Sequence, residues 1–495
     1  MGRIGFLCQN LCFISSGKKL KGERILLLYP QGYAFIIAFW GCLYAGAIAI
    51  PAYPPKRNRS LLRIKNIIDD SKAKLVVTTD EIFPRIEKSF TKESWMKEIS
   101  WGTHENIMAN KLEYNNHIPG IDDIAFLQYT SGSTGEPKGV MVSHGNLLAN
   151  CQHIKDIFSL SDKSTTVHWL PIFHDMGLVF GVLSCIYLNC YCVLMPPVSF
   201  IQKPIRWLKA FQKYNGTTGG APNFAYDLLA KNVSEQEKEK LNLSTIETLY
   251  NGAEPIRKST FDTFFNSYKN YKLKETSLYP TYGMAETTLV ISGDSVNNPP
   301  KYVTIEKEAY QNNYVKEIHP DSPEGITLAC IGKSRPDMVI KVVNHDTLLE
   351  CKANEVGEIW ISGTSITKGY WNKPELTKET FDAYIASSGE GPFLRTGDLG
   401  FIHDGEIVVS GRLKDLIIIR GANYYPQDIE LVVEQSDKRI NTGNTAAFSV
   451  EYNNEEKLVV VAEMRRTALH NLNAERITNN IREAIFKVLS FVLMP

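Results

Sequence analysis

The chain has 495 residues, 43% of them apolar and 22% charged, with 54 basic and 54 acidic side chains and no net charge. That length predicts two or three structural domains and a core that needs no covalent staples. Charge balance excludes a global pull toward nucleic acid or an anionic membrane, so neither is an expected partner. Nine cysteines occur without a Cys-x-x-Cys spacing. Cys42, Cys185, Cys190 and Cys192 lie in apolar context and read as buried free thiols in a reducing, cytoplasmic setting.

Residues 1–16 are apolar, with Arg3 near the start, like a weak signal peptide. Gln9 and Asn10 interrupt them and no small-x-small cleavage site follows, so they are not read as a leader. Residues 32–55 carry no charge and are long enough to suggest a membrane span. Gly41, Gly46 and Pro51 divide them into a buried helix to about Tyr44, a turn and a strand over 47–52, so no span is expected. Leu75-Val76-Val77, residues 124–127, Cys192-Val193-Leu194 and Thr248-Leu249-Tyr250 read as buried strands. In Cys190-Tyr191-Cys192 the two thiols point the same way, as core rather than ligand. Helical stretches at 60–70, 146–157 and 204–214 separate the strands. The alternation predicts an α/β fold, layered around a mostly parallel sheet.

The pattern changes near Gly411. Residues 401–409 form a hairpin around Asp404-Gly405, and a short strand follows at 415–419. Tyr425-Pro426-Gln427-Asp428-Ile429 opens a helix, with proline and an acid in its first turn. Strands at 446–450 and 457–462 come next, then a helix from about Ala474 with Ile477, Ile481, Ile485 and Val488 on one face. The expected organisation is a large domain over 1–411 and a small α+β domain over 412–495.

One run concentrates the chemistry: Tyr129-Thr130-Ser131-Gly132-Ser133-Thr134-Gly135-Glu136-Pro137-Lys138-Gly139. It follows the strand at 124–127 and precedes Val140-Met141-Val142. Glycines let backbone amides approach a polyphosphate, hydroxyls add donors, and Lys138 adds positive charge. A Walker A loop would end in Gly-Lys-Ser/Thr, and this run does not. A polar hairpin loop is the bland alternative, but the run is similar, residue for residue, to the phosphate loop of the adenylate-forming enzymes.

Further motifs extend that resemblance. Leu170-Pro171-Ile172-Phe173-His174-Asp175-Met176-Gly177-Leu178 is similar to the family motif whose histidine lies at the carboxylate entrance; a neutral His174 there can orient an acid without competing as a base. Tyr250-Asn251-Gly252-Ala253-Glu254-Pro255 and Tyr279-Pro280-Thr281-Tyr282-Gly283-Met284-Ala285-Glu286 read alone as strand ends running into turns. The resemblance implies that they line a nucleotide. Gly252, Ala253 and Gly283 then admit a flat purine, Glu254 and Met284 flank it, and Tyr282 stacks for ~1–3 kcal/mol. Glu286 matches the carboxylate that holds Mg²⁺ against phosphates, an ion for which one or two acids suffice. The hairpin can bring Asp398 of Arg395-Thr396-Gly397-Asp398 beside Arg412 of Gly411-Arg412-Leu413-Lys414-Asp415. The reading is a carboxylate on the ribose hydroxyls and an arginine on ribose or phosphate, rather than a plain ion pair. Lys414 falls at the family's hinge.

Over about residues 25–460 the chain most resembles the fatty acyl-AMP ligases. Gly41-Cys42-Leu43-Tyr44-Ala45-Gly46-Ala47 with Pro51-Ala52-Tyr53-Pro54-Pro55, Gly220-Ala221-Pro222-Asn223-Phe224-Ala225-Tyr226 and Lys414-Asp415-Leu416-Ile417-Ile418-Ile419 carry this finer likeness. The long stretch from Glu286 to Gly357 accommodates that subgroup's extra segment, around 301–325. The resemblance implies that ATP and Mg²⁺ convert a long-chain fatty acid to its adenylate, which then acylates the phosphopantetheine thiol of an acyl carrier protein. Phe173, Phe224 and Tyr226 are expected to line the acyl tunnel. His174, Lys138 and Glu286 are the catalytic expectation. Two departures stand out. No match to the family's C-terminal Gly-Lys segment occurs, and Lys487 does not replace it; residues 1–20 do not resemble the family's beginning. The chain therefore reads as cut at both ends. A long-chain acyl-CoA synthetase and a weak nucleotide-binding remnant are the alternatives.

Overall fold

The computed structural model describes residues 20–54, 62–90, 96, 98–109, 118–131, 137–294, 296–419, 422–452, 455–471 and 473–489. Three sheets organise them. The first runs, in spatial order, Ser100–Thr103, Leu75–Thr78, Arg24–Leu28, Ile48–Ala52, Ile124–Ser131 and Pro137–Ser143. Its strands are parallel until the last pair, an antiparallel hairpin with Thr130 opposite Lys138. The second runs Lys333–Ser334, Val290–Gly293, Leu278–Gly283, Thr248–Asn251, Thr218–Ala221, Thr165–His168 and Tyr191–Leu194. Five of its strands are parallel. The third is an antiparallel meander of Met338–Val343, Gly357–Gly363, Leu394–His403 and Glu406–Arg412.

Side-chain alternation along the first strand explains how the layers form. Ile25 and Leu27 enter the large core shared with Leu249 and Tyr250 of the second sheet, whereas Leu26 and Leu28 face Ile50, Ile64 and Val76 on the opposite side. The uncharged segment divides as its glycines predict, into a helix Tyr33–Tyr44 and the strand Ile48–Ala52. Among the described residues no helix is long and apolar enough to cross a membrane. The helix His144–Ile157 starts where Ser143 and Asn146 form a reciprocal capping box. Asp404 and Gly405, both at positive φ, close the hairpin between the last two strands of the third sheet.

Three readings need correction. Tyr191–Leu194 is a half-exposed edge strand rather than a buried one, because an apolar run does not reveal its position in a sheet. Cys190 and Cys192 are accordingly half-buried, although Cys42 and Cys185 are buried. Residues 413–415 form a short 3₁₀ turn and the following strand is only Ile417–Ile419.

Beyond this turn a separate core gathers Ile417, Tyr424, Ile429, Val433, Ile440, Ile477 and Ile485. It joins the helix Pro426–Ser436, the hairpin Ile440–Tyr452 with Glu455–Met464, and the helix Ala474–Leu489. The stretch around 301–325 forms its own two-stranded sheet, Tyr302–Glu306 with Gly325–Ala329, and the helix Lys307–Gln311. This small unit touches the C-terminal region: Tyr310 stacks on Tyr425 with ring centroids 4.6 Å apart, and the Asn423 amide donates to Asn313 Oδ1 at 3.0 Å.

Candidate functional site

The three sheets converge on one cleft of about 1620 Å³. Thr130, Lys138, His174, Gly252, Ala253, Glu254, Tyr282, Gly283, Met284, Glu286, Asp398, Arg412 and Lys414 all line it. Ser131 ends its strand, whereas its side chain and Gly132, Ser133, Thr134 and Gly135 lie outside the described residues.

At the phosphate-loop side, Lys138 sits 5.2 Å from the centroid of the Tyr370 ring. The Tyr370 hydroxyl donates to Glu286 Oε1 at 2.8 Å. One aromatic side chain thus orients both the cation and the acid. Burial pushes the Glu286 carboxyl upward, against the Tyr370 hydrogen bond. Burial and the nearby Lys414 cation push Lys138 downward, while Glu286 opposes them. Tyr370 was not singled out from the sequence. The signal was Gly369-Tyr370-Trp371, whose backbone bonds to the hairpin strand: Trp371 N–H donates to Gly139 O at 2.8 Å and Met141 N–H to Gly369 O at 2.9 Å.

At the opposite side, Asp398 and Arg412 are register partners across the third sheet. The Tyr282 hydroxyl donates to Asp398 Oδ2 at 2.6 Å, and Arg412 Nε lies 3.3 Å from Oδ1. Asp398 is nearly buried and Arg412 largely exposed. Burial raises the Asp398 carboxyl above its ordinary range, with Arg412 and Tyr282 pulling it back. Below it, Glu358 anchors the turn by accepting from Arg395 Nε at 2.9 Å and from Gly397 N–H at 3.1 Å.

Glycine at 252 and 283 has a packing cause. A Cβ on Gly283 would stand 1.9 Å from Leu289 O, and one on Gly252 would stand 3.0 Å from Thr281 O. Ala253, which lines the cleft, adopts φ +66°, a left-handed conformation that non-glycine residues rarely take. Glu254 Oε2 accepts Phe224 N–H at 3.0 Å, and burial raises its pKa.

His174 Nδ1 lies 2.5 Å from Asp175 Oδ1. The Asp175 charge raises the imidazole pKa, with desolvation opposing it. Of the expected tunnel residues, Phe173 lines the cleft, with its ring 4.7 Å from Tyr53. Tyr226 is fully buried and donates to Tyr250 O at 2.6 Å, and Phe224 packs on Trp169; neither lines this cleft. Among the described residues no group of three or more His, Cys, Asp or Glu could hold a metal by itself. Glu286 alone therefore fits only an ion that takes its other ligands from phosphate and water.

The chain is similar to known proteins in sequence and in fold. The sequence profile of the family described as AMP-binding enzyme matches residues 16–371. The medium-chain-fatty-acid–[acyl-carrier-protein] ligase JamA of Moorena producens is 41% identical over 473 residues, 94% of this chain and 80% of its own length. The long-chain-fatty-acid–AMP ligase FadD26 of Mycobacterium bovis is 34% identical, over 98% of this chain and 84% of its own. A crystal structure of the fatty acyl-adenylate ligase from L. pneumophila, in complex with acyl adenylate and pyrophosphate, is 38% identical and superposes with a TM-score of 0.80. That superposition covers 99% of this chain and 85% of that one. The cleft, the order of its motifs and these likenesses agree that the chain belongs to the AMP-binding enzyme family, among its fatty acyl-AMP ligases.

Proposed function

We propose that the cleft binds ATP and a long-chain fatty acid and joins them as an acyl adenylate. A carboxylate oxygen attacks the α-phosphorus, the bond to the β-phosphate bridging oxygen breaks, and pyrophosphate leaves. The phosphopantetheine thiol of an acyl carrier protein then attacks the acyl carbonyl, losing its proton, and AMP leaves. The two negative reactants repel each other, so the site must supply positive charge where the transition state gathers it.

Thr130, Ser131, Gly132, Ser133, Thr134 and Gly135 grip the phosphates, and Lys138 balances their charge. Tyr282, Met284, Gly252, Ala253 and Glu254 hold the base, while Asp398 and Arg412 hold the ribose. His174 steers the substrate carboxylate at the cleft mouth. Glu286 would hold Mg²⁺, which shields the triphosphate charge when bound. The large domain over 1–411 and the small one over 412–495 rotate about Lys414 between the two steps. The protein acts in the cytoplasm, where ATP and the carrier are available.

One observation carries the reading. The Glu286–Tyr370–Lys138 group and the Tyr282–Asp398–Arg412 group face the same cleft. Fatty-acid-dependent exchange of pyrophosphate into ATP tests it: nucleotide binding without exchange overturns the ligase reading. Parallel reactions with coenzyme A and with a phosphopantetheinylated carrier test the acceptor, and comparable thioester formation on coenzyme A overturns the carrier.

A further inference from the structure

Behind the cleft, away from the groups assigned above, three thiols meet. Residues Met176–Ser184 form a π-helix that begins directly after His174-Asp175. A short helix Cys185–Leu188 continues it, Asn189 turns the chain in a left-handed conformation, and Tyr191–Leu194 returns as the edge strand. This reversal brings the Cys185 thiol within hydrogen-bonding reach of both Cys190 and Cys192. Cys185 and Cys192 also share one acceptor, Gly181 O, at 3.7 and 3.0 Å. Thr166 Oγ1 lies 3.1 Å from Cys185 Sγ. All three sulfurs are unpaired thiols, with Cys185 buried and Cys192 half-buried.

Core packing alone does not account for this placement. An apolar core holds thiols as separate small hydrophobes, whereas here two thiols crowd one carbonyl. Both sulfurs donate to Gly181 O as thiols, and Cys192 is the more exposed of the two. A half-buried thiol beside a buried one is an arrangement that a peroxide oxidises stepwise.

We propose that Cys185 and Cys192 form a reversible, peroxide-oxidisable disulfide site that acts on the wall of the cleft. The Cys192 sulfur attacks a peroxide oxygen, the O–O bond breaks, and Cys192 becomes a sulfenic acid as one water leaves. The Cys185 sulfur then displaces the hydroxyl, its proton leaves with that oxygen as a second water, and the S–S bond forms. The two sulfurs lose one electron pair in total, and one peroxide is reduced. A thiol reductant reverses the change by exchange.

The coupling to the wall runs through the π-helix. In the reduced protein Cys185 Sγ approaches Phe180 O at 3.6 Å, and Ser184 Oγ donates to the same oxygen at 2.6 Å. Phe180 packs against Tyr250 and Phe158, with centroids 4.5 and 4.8 Å away, and all three rings line the cleft. Disulfide formation removes the thiol donors from the carbonyls of Phe180 and Gly181, and so changes the hydrogen bonding of the π-helix that carries the Phe180 ring.

Titration of the full chain with hydrogen peroxide, followed by alkylation in denaturant and peptide mapping, tests the site. The expected product is a Cys185–Cys192 cross-linked peptide that vanishes on dithiothreitol treatment. Cys351, half-buried and remote, remains alkylated and serves as the internal reference. Cys190→Ser retains the link, and Cys192→Ser abolishes it. Near-UV circular dichroism of wild type changes with oxidation and recovers with reductant, and that of Cys192→Ser does not. No link, or a Cys185–Cys190 link in its place, overturns the assignment. A Cys185–Cys192 link that leaves the near-UV spectrum unchanged overturns its action on the wall.

Discussion

At the residue scale, Tyr370 matters because it serves two opposite charges. Its hydroxyl donates to Glu286 and its ring faces Lys138. Tyr370→Phe removes the hydrogen bond but leaves the ring. Glu286, already raised by burial, then loses a bond that favours its ionised form, so its pKa rises further. A hydrogen bond to a charged group contributes about 1.5–3 kcal/mol, which moves the acid limb of the kcat/KM profile for adenylate formation upward by about one pH unit or more. An unmoved limb in the measured profile separates Glu286 from the titration. Gly283 is constrained differently. A methyl group there would collide with Leu289 O, a backbone atom that accepts Met284 N–H at 2.9 Å and cannot retreat without opening the turn. Gly283→Ala is therefore expected to lose about 3 kcal/mol or more of stability in denaturant unfolding. That loss would appear without any nucleotide present, which distinguishes packing from ligand contact.

At the element scale, the helix Pro426–Ser436 carries the most consequential titration. Asp428 lies in its first turn, where burial raises its pKa to about 7, against the opposing charges of Arg257 and Lys307. The folded state therefore retains a proton that the unfolded chain releases at the ordinary carboxylate pKa. Stability from this group is full below that ordinary value and declines as pH rises toward about 7. Asp428→Asn abolishes that decline. Its Tm is expected to exceed that of wild type at pH 8 and to match it at pH 4, as read by calorimetry across the range. The sequence showed this helix through Pro426 and Asp428 because its start is a local signal. The Asp404-Gly405 hairpin was legible for the same reason. The π-helix at Met176–Ser184 and the edge position of Tyr191–Leu194 were not, since each depends on which distant strand lies beside it. The site divides the same way. Motif residues such as Lys138, Tyr282 and Asp398 were legible as contiguous strings. Tyr370 and Glu358 were missed because they act across pairings 84 and 39 residues long, from Tyr370 to Glu286 and from Glu358 to Gly397.

At the scale of the whole molecule, the cleft is a junction rather than a property of one layer. Lys138 comes from the first sheet, Tyr282 from the second, and Asp398 and Arg412 from the third. A ligand that spans all three should bind as a linked pair of fragments, because fixing one end raises the effective concentration of the other. Ligand binding stabilises the native state by mass action, about 2.7 kcal/mol at one hundred times Kd. Adenosine offers only the base and ribose, and inorganic triphosphate only the phosphate end. ATP with Mg²⁺ is therefore expected to raise Tm by more than the sum of the shifts from adenosine and triphosphate at equal concentration. Lys138→Ala should cut the triphosphate shift and leave the adenosine shift intact, whereas Asp398→Asn should do the reverse. Differential scanning fluorimetry with the three ligands reads all of these. If the ATP shift only equals the sum, the three sheets are not bridged by one nucleotide, and the groups from different sheets do not act on a common substrate.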